Sequence, residues 1–182
     1  MRVISGIAKG IRLNTPKGMH TRPTADRVKE ALFSILHFDL PGTQVLDLFA
    51  GTGQLGIEAL SRGANRAVFV DERLDACTLV KENLEKTKFI AKATVVRSDY
   101  MTYLQRCTEK FDIIFLDPPY SEVFLENALK MITEIDILQS GGIIASEYPL
   151  GKVLPQELSE KYTAKEYRYG KTVLTLFRKK DA

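Results

Sequence analysis

From residue 44 onward, short apolar runs alternate with amphipathic stretches, and few architectures tolerate that order. The runs are 44–48 (QVLDL), 67–71 (AVFVD), 93–97 (ATVVR), 111–116 (FDIIFL) and 142–147 (GIIASE). Helical periodicity fills the intervals near 54–62, 73–87, 100–107 and 122–133. Strands separated by helices make βαβ units, so the chain is expected to be α/β with a mostly parallel central sheet. Ile113-Ile114-Phe115-Leu116 is continuously apolar, as suits a central strand covered on both faces. The tail, 163–169 and 172–178 around Tyr169-Gly170-Lys171, reads as a C-terminal antiparallel hairpin.

Ahead of this unit, residues 2–13 alternate around Gly6 and Gly10 and read as a β-hairpin. Residues 14–23 hold Pro16, Gly18 and Pro23 and read as a loop. Thr24 then looks like an N-cap for a helix carrying Val28, Ala31, Leu32, Ile35 and Leu36 and ending before Pro41. A chain of 182 residues is expected to form one domain, with a hairpin-and-helix extension over 1–40 and a core over 41–182.

Composition narrows the function classes. With 45% hydrophobic and 27% charged residues the chain is ordinary globular protein, not disordered, collagenous or disulfide-stapled. No apolar run approaches the ~20 residues a membrane span needs, and the N-terminus has no long apolar stretch of a secretion signal. Cys77 and Cys107 read as reduced thiols, which suits a cytoplasmic protein. His20 and His37 stand apart from any cysteine cluster, so no metal site is expected.

The segment Asp47-Leu48-Phe49-Ala50-Gly51-Thr52-Gly53-Gln54-Leu55-Gly56 holds GxGxxG between a strand and a helix. Glycines there permit a tight turn and close approach of backbone to a ligand. On its own such a loop also occurs as a plain strand–helix turn. The acids around it select the ligand. A pyrophosphate wants a helix N-terminus and few carboxylates, yet Asp47 ends the first strand, Asp71 the second, and Asp99 follows the third. S-adenosylmethionine (SAM) has no phosphate and carries a sulfonium and an ammonium, which a carboxylate attracts. Asp71 is placed for ribose hydroxyls and Asp99 for the adenine amine. The candidate cofactor groove is therefore Asp47, Phe49, Ala50, Gly51, Thr52, Gly53, Asp71, Glu72, Arg73, Asp99 and Tyr100.

Asp117-Pro118-Pro119-Tyr120 follows the most apolar strand. Four specified residues arise by chance in a chain of this length with probability on the order of 10⁻³. Two prolines could simply make a rigid strand end, but amine chemistry explains more. The exocyclic amine of a base is a poor nucleophile because its lone pair is delocalised into the ring. Two acceptors on its N–H bonds hold the nitrogen toward sp³ geometry. The Asp117 carboxylate supplies one and the Pro118 carbonyl the other, and Pro119 has no N–H to compete. Asp117 also stabilises the positive charge that develops on nitrogen, and Tyr120 can stack on an extruded base. In a doubly wound sheet the first and fourth strands flank the switch point, so the two motifs would face each other across one crevice.

Together these motifs resemble the amino-methylating class I SAM-dependent methyltransferases, with their Rossmann-like fold. The whole chain is similar to the RsmD-like 16S rRNA guanine-N2 methyltransferases. The resemblance is carried by RVISGIAKGIRL, RPTADRVKEALFSIL (22–36), LDLFAGTGQLGIEALSRGA (46–64), FVDER (69–73), Asp99, FDIIFLDPPY and YRYGKTVL (167–174). It implies methylation of one small-subunit rRNA guanine during ribosome assembly, with SAM as cofactor and 16S rRNA, free or within a 30S particle, as partner. No obligate protein partner is evident and the chain reads as a monomer.

Arg22, in the RPT loop, is a candidate RNA contact, and so are Arg2, Lys9, Arg12 and Lys17. Adenine-N6 and glutamine-N5 methylation share the acceptor geometry and remain alternatives. An NAD-dependent oxidoreductase lacks an evident catalytic set here and leaves Asp117–Tyr120 unexplained. A non-enzymatic RNA-binding scaffold would not need the acceptor motif. The net charge of +3 conceals an asymmetry: residues 1–30 carry +5, residues 31–160 carry −7 and residues 161–182 carry +5. An acidic centre suits a cationic cofactor, and basic ends suit a phosphate backbone.

Overall fold

The apolar runs become strands β1 (Gln44–Asp47), β2 (Arg66–Asp71), β3 (Ala93–Arg97), β4 (Phe111–Leu116) and β5 (Leu138–Pro149), and the tail becomes β6 (Tyr162–Tyr169) and β7 (Thr172–Lys179). The computed structural model describes residues 1–16, 23–118, 122–151 and 158–180. The strands form one sheet in the order β3-β2-β1-β4-β5-β7-β6. The first five are parallel, and β7 runs antiparallel to both β5 and β6. The order reverses between β1 and β4, which creates a switch-point crevice at their carboxyl ends.

Helices α1 (Pro23–Ile35), α2 (Gln54–Ser61), α3 (Leu74–Lys86), α4 (Tyr100–Arg106), α5 (Glu122–Ile135) and α6 (Leu158–Lys161) cover the sheet. Because strand side chains alternate between faces, the sheet feeds two cores. Val45, Ile113 and Phe115 pack with Leu32 and Phe33 of α1, Ile57 and Leu60 of α2 and Val80 and Leu84 of α3. Leu46, Ile114 and Leu116 pack on the other side with Leu104 of α4 and Leu125, Leu129 and Ile132 of α5. β1 and β4 are buried on both faces, so the ends of these two strands are held rigidly.

Three local expectations need correction. Residues 2–13 form an antiparallel arm with one bridge, Arg2 to Arg12, rather than a regular hairpin. The Val3, Gly10 and Leu13 N–H groups bond across the arm, but other donors are drawn off to α2: the Ile4 and Ser5 N–H groups donate to the Glu58 carboxylate, and the Ile7 N–H to the Ser61 carbonyl. Thr24 is not the N-cap, because α1 begins at Pro23, and proline suits a first helical turn. β5 starts at Leu138, not at residue 142. Gly141 adopts a φ of +69° there, and the pairing with β4 slips between Phe111 and Ile113, so a bulge lets the strand continue through two glycines.

Cys77 and Cys107 are both free thiols; Cys77 lies in α3 and Cys107 directly after α4. Among the described residues, no helix is long and apolar enough to cross a membrane, and no group of three or more His, Cys, Asp or Glu could hold a metal ion.

Candidate functional site

The three glycines after β1 do three different jobs. Gly51 has a φ of +56°, and a Cβ there would meet nothing within 4 Å, so its backbone faces open space. Gly53 has a φ of +77° and packs close to Val80 and Ile57. Gly56 lies against the Phe69 ring, where an added Cβ would come within 2.3 Å, so this position holds α2 tight on β2. The loop is braced from below by Asn83 of α3, which is fully buried. Its amide donates to the Thr52 carbonyl at 2.9 Å and to the Asn14 carbonyl at 3.1 Å, tying loop and N-terminal arm to one side chain.

The loop roofs a cavity of about 460 Å³ that runs across the carboxyl ends of β1, β2 and β3 to Asp117 beyond β4. That volume suits a small-molecule ligand. Of the candidate groove residues, Asp47, Phe49, Ala50, Gly51, Thr52, Asp71, Glu72, Arg73, Asp99 and Tyr100 line it, and so does Asp117, the candidate catalytic acid. Gly53 does not: it is a turn and packing residue. Sequence reasoning missed Met1, whose sulfur accepts from the Thr52 hydroxyl at 3.3 Å, and Phe124, which stands against Tyr100 at 5.6 Å between ring centroids. Phe49 completes an aromatic wall, 5.4 Å from Tyr100.

The acids differ in how they are satisfied. Asp71 accepts from the Gly51 N–H at 2.9 Å with one oxygen and from the Arg73 N–H at 3.0 Å with the other, so it fixes the loop before any ligand arrives. Each carboxylate oxygen keeps a further lone pair for a hydroxyl donor. Asp99 caps α4, accepting from the Thr102 N–H at 2.9 Å, and this bond lowers its pKa. The Arg73 side chain is turned outward onto Asp75.

Asp47 is 1% exposed. One oxygen accepts from the Gly56 N–H at 3.1 Å, capping the first turn of α2 from the strand, while Oδ1 has no partner at all. Burial drives its pKa to about 7; the Gly56 bond opposes this, and the charges of Asp117 and Asp71 add to it. Asp117 is exposed at the edge of the cavity, and desolvation by the surrounding protein raises its pKa to about 6. An orphaned buried carboxylate oxygen facing a cavity is a site prepared for a cation or a strong donor.

Pro118 directly follows Asp117 and is half-buried. Pro119 and Tyr120 lie outside the described residues, as do Lys17 and Arg22. Arg2, Lys9 and Arg12 sit exposed on the N-terminal arm, away from the cavity lining.

Residues 1–178 match the family model described as "Conserved hypothetical protein 95". The chain is 39% identical to "Putative rRNA methyltransferase YlbH" of Bacillus subtilis (strain 168) over 99% of its own length and all of that protein's. It is 36% identical to "Ribosomal RNA small subunit methyltransferase D" of Escherichia coli (strain K12), over 85% of this chain and 78% of the relative. The solved structure of "Putative methyltransferase yhhF from Escherichia coli" superposes with a TM-score of 0.88 at 30% identity, covering 100% of this chain and 99% of that one.

Proposed function

The chain belongs to the RsmD family, described by the model as Conserved hypothetical protein 95, and on that premise we propose that it methylates the exocyclic N2 amine of one guanine in 16S rRNA, using SAM. The observation that carries the reading is the orphaned, buried Asp47 oxygen and, across the switch point, the Asp117 carboxylate with its raised pKa, both lining one cavity at the strand ends. The residues present fit SAM. The orphaned Asp47 Oδ1 suits its ammonium, Asp71 its ribose hydroxyls, the open Gly51 backbone its close approach, and Phe49 and Tyr100 its adenine face. SAM supplies an electrophilic methyl on a sulfonium.

Every other part of the chemistry falls to this chain. Asp117 accepts one N–H bond of the incoming amine and the Pro118 carbonyl accepts the second, which localises the nitrogen lone pair. As nitrogen becomes positive, the Asp117 carboxylate stabilises it and takes the released proton. Asp117 must be ionised to accept, so methyl transfer is expected to rise with pH through about 6. Tyr120 stacks on the base once it leaves its helix. The exposed Arg2, Lys9 and Arg12 of the arm, with Lys17 and Arg22, meet the phosphate backbone of the RNA. The enzyme works as a monomer in the cytoplasm, on rRNA free or within a 30S particle.

The test is incorporation of tritiated SAM into 30S particles, free 16S rRNA and total protein, followed by nucleoside analysis. Label in N2-methylguanosine is expected. Label in N6-methyladenosine or in protein overturns the reading.

A further inference from the structure

We propose that Glu147 selects the target base, its carboxylate accepting the N1–H of guanine while Asp117 holds the neighbouring N2 amine. The inference rests on the amine-methylating reading above and adds the choice of base to it.

Position is the first support. Leu116 of β4 pairs with Ser146 of β5 in parallel register, so the next residue on each strand, Asp117 and Glu147, stands side by side. Both continue the face that carries Phe115 and Ala145, because alternation returns every second residue to the same side. Asp47 lies on this face too, paired through Phe115. Asp117 and Glu147 thus form an outer row across β4 and β5, and Asp47 stands on the same face one step back on β1, level with Phe115 and Ala145. The ligand cavity covers the Asp47 side of that row, and Glu147 is not part of its lining. Glu147 therefore borders the side of Asp117 left for an acceptor.

The second support is lack of partners. Glu147 is half-buried, and among the described residues no lysine or arginine pairs with it or with Asp117. Its pKa is pushed to about 7 by burial and then by the Asp117 charge. Continuing outward, Glu147 pairs with Leu174 of β7, and Leu174 with the half-buried Tyr167 of β6. The row passes from two carboxylates to the buried Leu174 and the half-buried Tyr167, so an apolar and aromatic flank adjoins the polar pair, as a flat base with a polar edge would require.

Base chemistry then chooses the occupant. Guanine presents N1–H and N2–H as adjacent donors on one edge, matching two adjacent carboxylates. Adenine presents one amine beside an unprotonated N1, whose lone pair would face the Glu147 carboxylate. A glutamine side chain presents an amide amine beside a carbonyl oxygen, with the same conflict. Sites built to bind a donor reject analogues that lack it, because the buried acceptor is left unpaired.

The test uses 2-aminopurine, which keeps the N2 amine but has an unprotonated N1. 30S particles are reconstituted with 16S rRNA carrying either guanine or 2-aminopurine at the methylated position. At a pH about one to two units above 7, where Glu147 is ionised and can only accept, wild-type enzyme is expected to prefer guanine by about 100-fold in kcat/KM. Glu147→Gln, whose amide can also donate to N1, is expected to reduce that preference to within about tenfold. An equal loss on both substrates in Glu147→Gln would mark a merely structural residue and overturn the proposal. So would a wild-type enzyme indifferent to the two bases, a result that needs no variant to fold. In both cases the N2-methylation reading survives. No N2-methylguanosine from wild type on the guanine particles overturns both.

Discussion

Two buried acids on the same side of the sheet, Glu58 and Asp47, show how pairing separates structure from function. Glu58 of α2 is fully buried and saturated: it accepts from the Ile4 N–H at 2.8 Å, the Ser5 N–H at 2.9 Å and the Arg62 guanidinium at 2.8 Å, with the Lys29 ammonium 3.6 Å away. Asp47 is as deeply buried, yet it has one backbone bond and an orphaned oxygen. The first acid spends its whole hydrogen-bonding capacity holding the N-terminal arm on the sheet. The second keeps capacity in reserve, which folding alone does not require. A buried polar atom without a partner is costly, so its persistence beside a cavity points to a ligand.

The largest expected effect tests the saturated side. Glu58→Ala leaves Lys29 buried without its counter-charge and strands two arm N–H groups, so unfolding in denaturant should show a loss of about 3–5 kcal/mol. A loss below about 1 kcal/mol would dissolve the contrast.

Asp47→Asn tests the other side. The amide oxygen can keep the Gly56 bond while the charge is removed. Thermal stability at neutral pH should hold or rise, while the Kd for SAM should weaken by about 10–100-fold, the range of a charge-assisted bond. Unchanged affinity together with lost stability would make Asp47 a structural acid like Glu58.

A subtler effect appears on titration. The Asp47 pKa lies near 7 in the folded protein against an ordinary 3.8, so the folded state binds more protons between these values. Its contribution to stability therefore falls as pH rises from about 4 to about 7. A bound cation favours the ionised form, so SAM binding should release a proton. Affinity should climb by up to about tenfold per pH unit below 7 and level off above it. Calorimetry in buffers of different ionisation enthalpy counts the proton, and a flat profile from pH 5.5 to 8 would contradict the assignment.

Much of this architecture was legible because it is local. Strand–helix alternation, the glycine loop and acids at strand ends are each written within a few residues, and all became the sheet, the turn and the cavity lining. What escaped depends on contacts between distant positions. The alternation in residues 2–13 suggested a regular hairpin, but the Ile4, Ser5 and Ile7 donors go to Glu58 and Ser61, more than fifty residues away. Gly142 looked like a strand start, whereas a bulge carries β5 through Gly141 and Gly142 from Leu138. Asn83 reads as an ordinary polar helix residue, and only folding brings Asn14 and Thr52 to its amide. The neighbourhood of Asp117 and Glu147 likewise follows from strand register, which no spacing in the sequence encodes.

The central claim is that Asp117 acts on the amine and not on the cofactor. It is tested most directly by Asp117→Ala, with SAM binding and methyl transfer to 30S particles measured on the same preparation. The account predicts a SAM Kd within about twofold of wild type and a fall in transfer of at least about 10²–10³-fold. Near-normal transfer, or a loss explained wholly by weakened SAM binding, would contradict it.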